Sequence, residues 1–435
     1  MHRSGNEISF WSAVAMGIGS MVGAGIFALL GEAGAIASSA VWISFVVGGV
    51  IALLSGYSMG RLGARYPAAG GLVEYLVQGY GAGRFSGTMS VMMYIAAVTA
   101  TALVARTFGT YAVALTPYGH LPLLVEVFSA GIILAFMLVN LDGPKAMATL
   151  ENLVVLLKML VLIAFAIAGL IYMSPERLAP QHYPPAATIL YSVAVTFFAY
   201  EGFRIVTNAA EDMRDPARTL PRAIMTAIVL VMLVYIAIAI AVFGNLPPDQ
   251  VIAAKDFALA EAARPIFGDL GFKVVAVAAL FATASAINAS LYAVTNVTYQ
   301  LAKLGELPCA FARPIAHSRE GLVISSLAIA LLAVFLDLSA IASIGAISML
   351  FIHMTVHIGH LRLLPETGAS RGLVLLAIFS NGAAFALGGY YLSRTSPLLL
   401  VWIGCFFALA FITEVALSRV SGRTVQARCN GGVNQ

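Results

Sequence analysis

Apolar runs of about 20 residues follow one another along almost the whole chain, parted by short polar breaks. A bilayer-crossing helix needs about 20 mainly apolar residues, so the pattern predicts an all-α polytopic membrane protein with twelve transmembrane helices. They fall at roughly 11–34, 40–66, 86–114, 123–141, 146–173, 188–210, 222–244, 267–303, 320–336, 339–363, 371–391 and 396–418. The alternating ten-residue segments of a membrane β-barrel are absent. An even number of spans puts both termini on one side. With that side taken as cytoplasm, inner segments carry sixteen Lys and Arg residues against six outside, as the positive-inside rule expects. Residues 1–10 and 419–435 are then cytoplasmic tails, and the short polar start lacks the cleavage-site pattern of a signal peptide. The longest outer loop, Gly244 to Gly271, breaks at Pro247 and Pro248 and continues as an amphipathic stretch. That stretch is either a short helix over an outer vestibule or a solvated connection.

Composition sharpens this picture. Of 435 residues 60% are hydrophobic and 10% charged, where soluble domains carry about 25% charged residues. The net charge of +4 is not clustered, so nucleic acid is not an expected partner. Cys309, Cys405 and Cys429 show no ligand or disulfide spacing, and no cofactor is expected.

Two spans carry breaks. "GIGSMVGAGIF", Gly17 to Phe27, has four glycines in eleven residues, and "FFAYEGF" in span 6 sets Glu201 and Gly202 at membrane depth. Glycines in a membrane helix also serve close packing. Paired breaks at the start of two five-span sets, however, point to an inverted-repeat transporter with its site at the midplane. Unwound backbone leaves N–H and C=O groups that lipid cannot satisfy. Helix N-termini attract a carboxylate and C-termini an ammonium. A zwitterionic α-amino acid fits such a site better than a sugar.

These stretches resemble the amino acid–polyamine–organocation (APC) superfamily. Beside them, "YPAAGGLVEYLVQGYG" (Tyr66 to Gly81), "FFAYEGFRIVTNAAEDMRDPARTLPRAI" (Phe197 to Ile224) and "ALFATASAINASLYAVTNVTYQLAKLGELP" (Ala279 to Pro308) resemble family motifs. The resemblance implies a LeuT-type 5+5 inverted repeat with broken helices 1 and 6. The repeats would be residues 11–173 and 188–363, with 371–418 as two added spans. "GNLPPDQVIAAKDFALAEAARPIFGDLGF" and "ENLVVLLKMLVLI" are similar to proton-coupled members, in which a span 5 lysine stands where sodium-coupled relatives bind sodium. The matching residue is Lys158. The resemblance therefore implies amino-acid import driven by protons across the cell membrane, by a protein working as a monomer. Exchange or passive facilitation on the same scaffold, and a membrane sensor, stay as alternatives. Nothing beyond a histidine run offers the catalytic set an enzyme needs.

Lys158 lies mid-helix among apolar residues, where a charged side chain costs about 2.5–3.5 kcal/mol. Burial sets the neutral amine against the ammonium, so this lysine is a candidate to take up and release a proton, with Gly19, Thr283 and Ser285 as partners. The alternative is a static structural contact. Ser20, Gly23, Ala24 and Gly25 are candidates for a substrate carboxylate, and Phe198, Ala199, Glu201 and Gly202 for the ammonium side, Phe198 also as a gate or as plain packing. Glu201 and Arg204, at i and i+3, form a charge pair. It is either structural or a reader of the substrate side chain. Family members often carry an acid where Arg204 stands, and this departure sets aside any role carried over for that acid. Asn288 suits a cross-helix bond. His353, His357 and His360 share a face near the end of span 10, a spacing open to a metal but without a carboxylate beside it. Asp215-Pro216 and Pro221 carry helix-start signals.

Overall fold

The structure, a computed structural model, describes residues 8–68, 70–117, 121–141, 148–303, 307, 309–316 and 318–421. Span 1 is built in three pieces, α1 (Phe10–Met21), α2 (Ala24–Phe27) and α3 (Leu29–Ala37). Ser9 caps the first, its Oγ accepting from the Ser12 N–H at 3.2 Å. Then come α4 (Val41–Arg65), α5 (Leu72–Tyr80), α6 (Arg84–Ala114), α7 (Pro122–Leu141) and α8 (Ala148–Tyr172). Span 6 comprises α9 (Ala186–Tyr191), α10 (Val193–Ala199) and a 3-10 helix, Glu201–Asp212. The remainder is α11 (Pro216–Asn245), α12 (Pro248–Ala253), α13 (Ala258–Lys303), α14 (Glu320–Phe335), α15 (Leu338–Thr367), α16 (Arg371–Thr395) and α17 (Pro397–Ser421).

Eleven helical stretches among the described residues are long and apolar enough to cross a membrane. The ninth expected span coincides with α14, whose 16 residues reach only about 24 Å at 1.5 Å per residue. Two-residue strands, β1 (Pro314–Ile315) and β2 (Ser318–Arg319), pair antiparallel just before it. With the isolated bridge between Ile8 and Met213, they are the small β departures from an all-helical chain among the described residues.

Local sequence explains most boundaries. Asp215 caps α11 by accepting from the Arg218 N–H at 3.3 Å, with Pro216 in the first turn. The amphipathic stretch of the outer loop is helical rather than a solvated connection. It supplies α12 and the start of α13, which is interrupted at Gly268 with φ 65°. Only glycine adopts that conformation at little cost. The motif Tyr66 to Gly81 folds into α5, which lies against α15 with Gly79 touching Gly359.

The centre of the bundle is α4 packed on α10 and α11, with α1 and the 3-10 helix beside them and α13 against α6 and α8. Hydroxyls tie α10 to α4: Ser192 Oγ donates to Ser44 Oγ at 2.6 Å, and Thr196 Oγ1 to the Ser44 carbonyl at 2.8 Å. Such interhelical bonds supply cohesion where lipid is as apolar as the side chains. At the periphery, α7, α16 and α17 turn large apolar side chains outward, Phe379 and Leu398 among them.

Candidate functional site

The break in span 1 frees backbone carbonyls, and named side chains meet them. Helix α1 ends at Met21, and Val22 leaves the helical region at φ −83°, ψ 60°. Lys158 Nζ, 1% exposed, donates to the Gly19 carbonyl at 2.7 Å. Tyr235 Oη donates to the Met21 carbonyl at 2.7 Å, and Tyr111 Oη to the Phe27 carbonyl at 2.9 Å. Away from water these carbonyls need such partners. Lys158 and Gly19 are expected from the sequence. Tyr111 and Tyr235 are not, although a phenol buried in an apolar span announces that it needs a partner. Thr283 spends its hydroxyl proton on the Ala279 and Leu280 carbonyls of its own helix, and Ser285 is half-buried on that helix.

In span 6 the α-helix ends at Ala199, and from Glu201 the chain runs as a 12-residue 3-10 helix. Runs beyond three or four residues are uncommon, and side chains at i and i+3 eclipse one another. Arg204 Nε accordingly stands 2.7 Å from Glu201 Oε1. The second Glu201 oxygen lies 3.0 Å from Nε2 of His353 on α15. The pair is thus a triad, all buried.

The histidine run departs from its sequence reading. No cluster suited to a metal occurs among the described residues. His353, His357 and His360 are buried, because α15 is enclosed by α4, α5, α6, α10 and α16. Ser58 Oγ lies 2.9 Å from His357 Nδ1 and 2.8 Å from His360 Nδ1. His357 Nε2 lies 3.1 Å from Ser55 Oγ, and His360 Nε2 lies 2.9 Å from Thr367 Oγ1.

Between the two breaks lies a pocket with about 80 Å³ of free space. Ser20, Met21 and Gly25 face it from span 1, and Phe198, Ala199, Glu201, Gly202 and Arg204 from span 6. Ala97, Thr101 and Val104 of α6 and Ala286 and Ser290 of α13 complete the wall. The breaks touch backbone to backbone. A Cβ on Gly25 would meet the Ala199 carbonyl and Tyr235 Oη, and one on Gly202 would meet the Met21 nitrogen and the Ser20 carbonyl group. Gly23 packs on Ala286 and Gly19 on Val155. Gly25 does not have the positive φ that Gly71, Gly81, Gly268 and Gly368 have. Ala24 opens α2. Phe198 rests its ring on Gly345 of α15. Asn288 accepts from Asn140 Nδ2 of α7 at 2.7 Å, the expected cross-helix bond.

Known proteins share this sequence over nearly its full length. An uncharacterized protein of Methanocaldococcus jannaschii is 34% identical over 426 residues, 98% of each chain. The inner membrane transport protein YbaT of Escherichia coli is 33% identical over 423 residues, 96% of this chain and 98% of that one. The serine/threonine exchanger SteT of Bacillus subtilis is 24% identical over 329 residues, 73% of each. A family model described as amino acid permease matches residues 8–417, from the approach to α1 into α17. The chain belongs to the amino acid permease family, whose members are membrane transporters and not enzymes.

Proposed function

We propose that the protein is a secondary active transporter that imports amino acids across the cell membrane by proton symport with alternating access. The fold would be a LeuT-type pair of inverted five-helix repeats, 11–173 and 188–363, followed by 371–418, with α14 completing twelve spans and both termini cytoplasmic. The observation that carries this reading is the Lys158 hydrogen bond to Gly19. An ammonium buried at the span 1 break ties the protonation of one side chain to the helix piece that bears Ser20 and Gly25. Loss of the proton weakens that tie, so proton binding and the position of span 1 become one event. Thr283 and Ser285 stand on the neighbouring helix as further polar groups for the coupling site.

The substrate would lie between the two breaks. Ser20 Oγ and the N–H groups of Gly23, Ala24 and Gly25 suit its carboxylate, and the backbone carbonyls of Phe198, Ala199 and Glu201 suit its ammonium. The walls at Ala97, Val104 and Ala286 favour a small or medium neutral side chain. Relatives named a serine/threonine exchanger and a branched-chain amino acid permease support that class. The protein would work as a monomer.

The test is accumulation of labelled neutral amino acids in proteoliposomes under an imposed pH gradient, with and without sodium. Accumulation above equilibrium, indifferent to sodium and abolished in Lys158→Ala, is expected. A strict sodium requirement, or undiminished pH-driven accumulation in Lys158→Ala, would overturn the coupling assignment.

A further inference from the structure

Glu201 belongs to the pocket, yet one of its oxygens faces away from Arg204 toward His353. His353 is fully buried, held edge-on between Phe197 and Phe203 with ring centroids at 5.2 and 5.7 Å. Neither of its ring nitrogens makes a hydrogen bond, nor do the Glu201 oxygens or Arg204 Nε, so the three groups meet at ion-pair distances only. An unsatisfied buried donor or acceptor costs about 1–3 kcal/mol, so a ring kept in this state is unlike ordinary packing. One turn along α15, the His357 ring meets it edge to face at 6.1 Å. From His357 the contacts run without a gap: Ser58 Oγ, His360, then Thr367 Oγ1 at the end of α15. Thr367 is partly exposed, and its neighbour Glu366 is exposed and accepts from Tyr66 Oη at 2.7 Å.

The proton count of this string is informative. Ser58 has one hydroxyl proton between two ring nitrogens. Suppose it donates to His360 Nδ1. Then His357 Nδ1–H donates to Ser58, His360 Nε2–H donates to Thr367, and His357 Nε2 accepts from Ser55. Reverse every bond, and Ser58 donates to His357 Nδ1, His360 Nδ1–H donates to Ser58, His357 Nε2–H donates to Ser55, and Thr367 donates to His360 Nε2. Both arrangements are neutral; the first leaves the Thr367 hydroxyl proton on the Leu363 carbonyl, 3.1 Å away, and the second turns it to His360. A string that can hold either polarity passes a proton by switching between them. A proton taken up at His357 Nε2 sends the Nδ1 proton to Ser58, the Ser58 proton to His360 Nδ1, and the His360 Nε2 proton out past Thr367. One proton enters, one leaves, and only N–H and O–H bonds change.

We infer that Glu201, His353, His357, Ser58, His360 and Thr367 form a proton path from the substrate pocket to the exposed end of α15. It rests on the proton-symport reading and gives the proton a route of release apart from Lys158. His353 is the transfer group. By turning its ring it takes a proton at Glu201 and presents it to His357. The charged groups bordering the path are Glu201 and Arg204 at the pocket end and Glu366 with Arg65 at the other. Along the middle of the path, α4 and α16 contribute the neutral groups Ser55, Ser58 and Asn381, the last donating to Ser55 Oγ at 3.0 Å, and Arg65 stands at the far end of α4. From α5, Tyr80 directs its hydroxyl to the Thr355 carbonyl.

The test compares two activities in the same proteoliposomes: net uptake driven by a pH gradient, and substrate exchange at equal pH. Exchange returns the carrier loaded, so it requires no proton release. Ser58→Ala removes the bridging hydroxyl and leaves both rings, and His360→Asn keeps a polar group without the second nitrogen. Because both activities come from the same vesicles, their ratio is independent of how much protein folds. In each variant the ratio of net uptake to exchange should fall roughly tenfold or more, the scale of a lost proton-transfer group. A ratio within about twofold of the parent in both variants would overturn the path and leave the role of Lys158 standing. A parent protein with no pH-driven uptake would overturn the symport reading and the path with it.

Discussion

Glu201 is held by two basic side chains, not one, and this changes what its removal should do. Breaking a buried ion pair from one side costs about 3–5 kcal/mol because the partner is left uncompensated. Arg204→Gln leaves Glu201 with His353 Nε2 still 3.0 Å away, so the loss should lie below that range. Glu201→Gln strips both Arg204 and His353 of their acid and should cost more. The double variant should recover part of the loss. Denaturation midpoints of the three variants in detergent check the order; equal losses in both single variants would mean that His353 does not share the charge. If Glu201 also reads the substrate, Glu201→Gln should shift the competition between cationic and neutral amino acids, since only a carboxylate gives a cation a charge-assisted bond. An unchanged profile would leave the triad as structure alone. The i, i+3 pair was legible in the sequence. The third partner was not, because His353 lies on a distant span and nothing in "HMTVHIGH" says which face of α15 is enclosed.

At the scale of elements, both interruptions were legible from glycine content and polar residues at membrane depth. Their mutual contact was not. Sequence reasoning gives Gly25 to the ligand, whereas its missing Cβ makes room for the Ala199 carbonyl, and that of Gly202 for the backbone at Ser20 and Met21. The two breaks are therefore held at a fixed separation, which sets the pocket between them. Gly25→Ala and Gly202→Ala should each push these segments apart, with a stability loss of about 1–3 kcal/mol from overpacking and substrate affinity weakened more than about tenfold. Gly389→Ala on α16, where a Cβ meets nothing within 4 Å, is the control and should change stability by less than about 0.5 kcal/mol. Affinity is read from substrate-induced shifts in melting temperature. Retained affinity in Gly25→Ala and Gly202→Ala would show that the contact tolerates movement and does not set the site. The 12-residue 3-10 helix after Ala199 was hidden for a different reason: its composition does not distinguish it from an α-helix, and its winding goes with packing against α1, α11 and α4.

At the scale of the whole molecule, eleven of the twelve expected spans have helices long and apolar enough to cross a membrane, and the ninth is the shorter α14; they were legible because hydropathy sets where a chain must be helical in lipid. The outer loop was less so, since its helices are fixed by what they rest on. Lys255 in that loop reaches Glu32 on α3 at 3.3 Å and donates to Ser339 Oγ on α15 at 2.8 Å, and Ser339 Oγ donates to Glu32 at 2.6 Å. Glu32 lies one turn beyond Leu29, which lines the pocket, so this triad fastens three segments across the end of the molecule beyond the site. Below it, Gly31 lets the Lys255 carbonyl approach the α3 backbone. Lys255 is 39% exposed, so water screens the pair from the lysine side, and buried Glu32 keeps the Ser339 hydroxyl as a donor; the pair is therefore assigned about 1 kcal/mol. Lys255→Met keeps the stem and removes the charge. On the alternating-access proposal, it should shift the balance between closed and open at this end by up to roughly fivefold, the factor that about 1 kcal/mol represents. A single cysteine at Ser290, in the pocket, placed in an otherwise cysteine-free chain, reports the opening through its labelling rate with a membrane-impermeant maleimide added at that side. The rate should rise in Lys255→Met and in Ser339→Ala, and a saturating substrate should slow it in both. If the rate is unchanged, the ion pair does not hold this end shut.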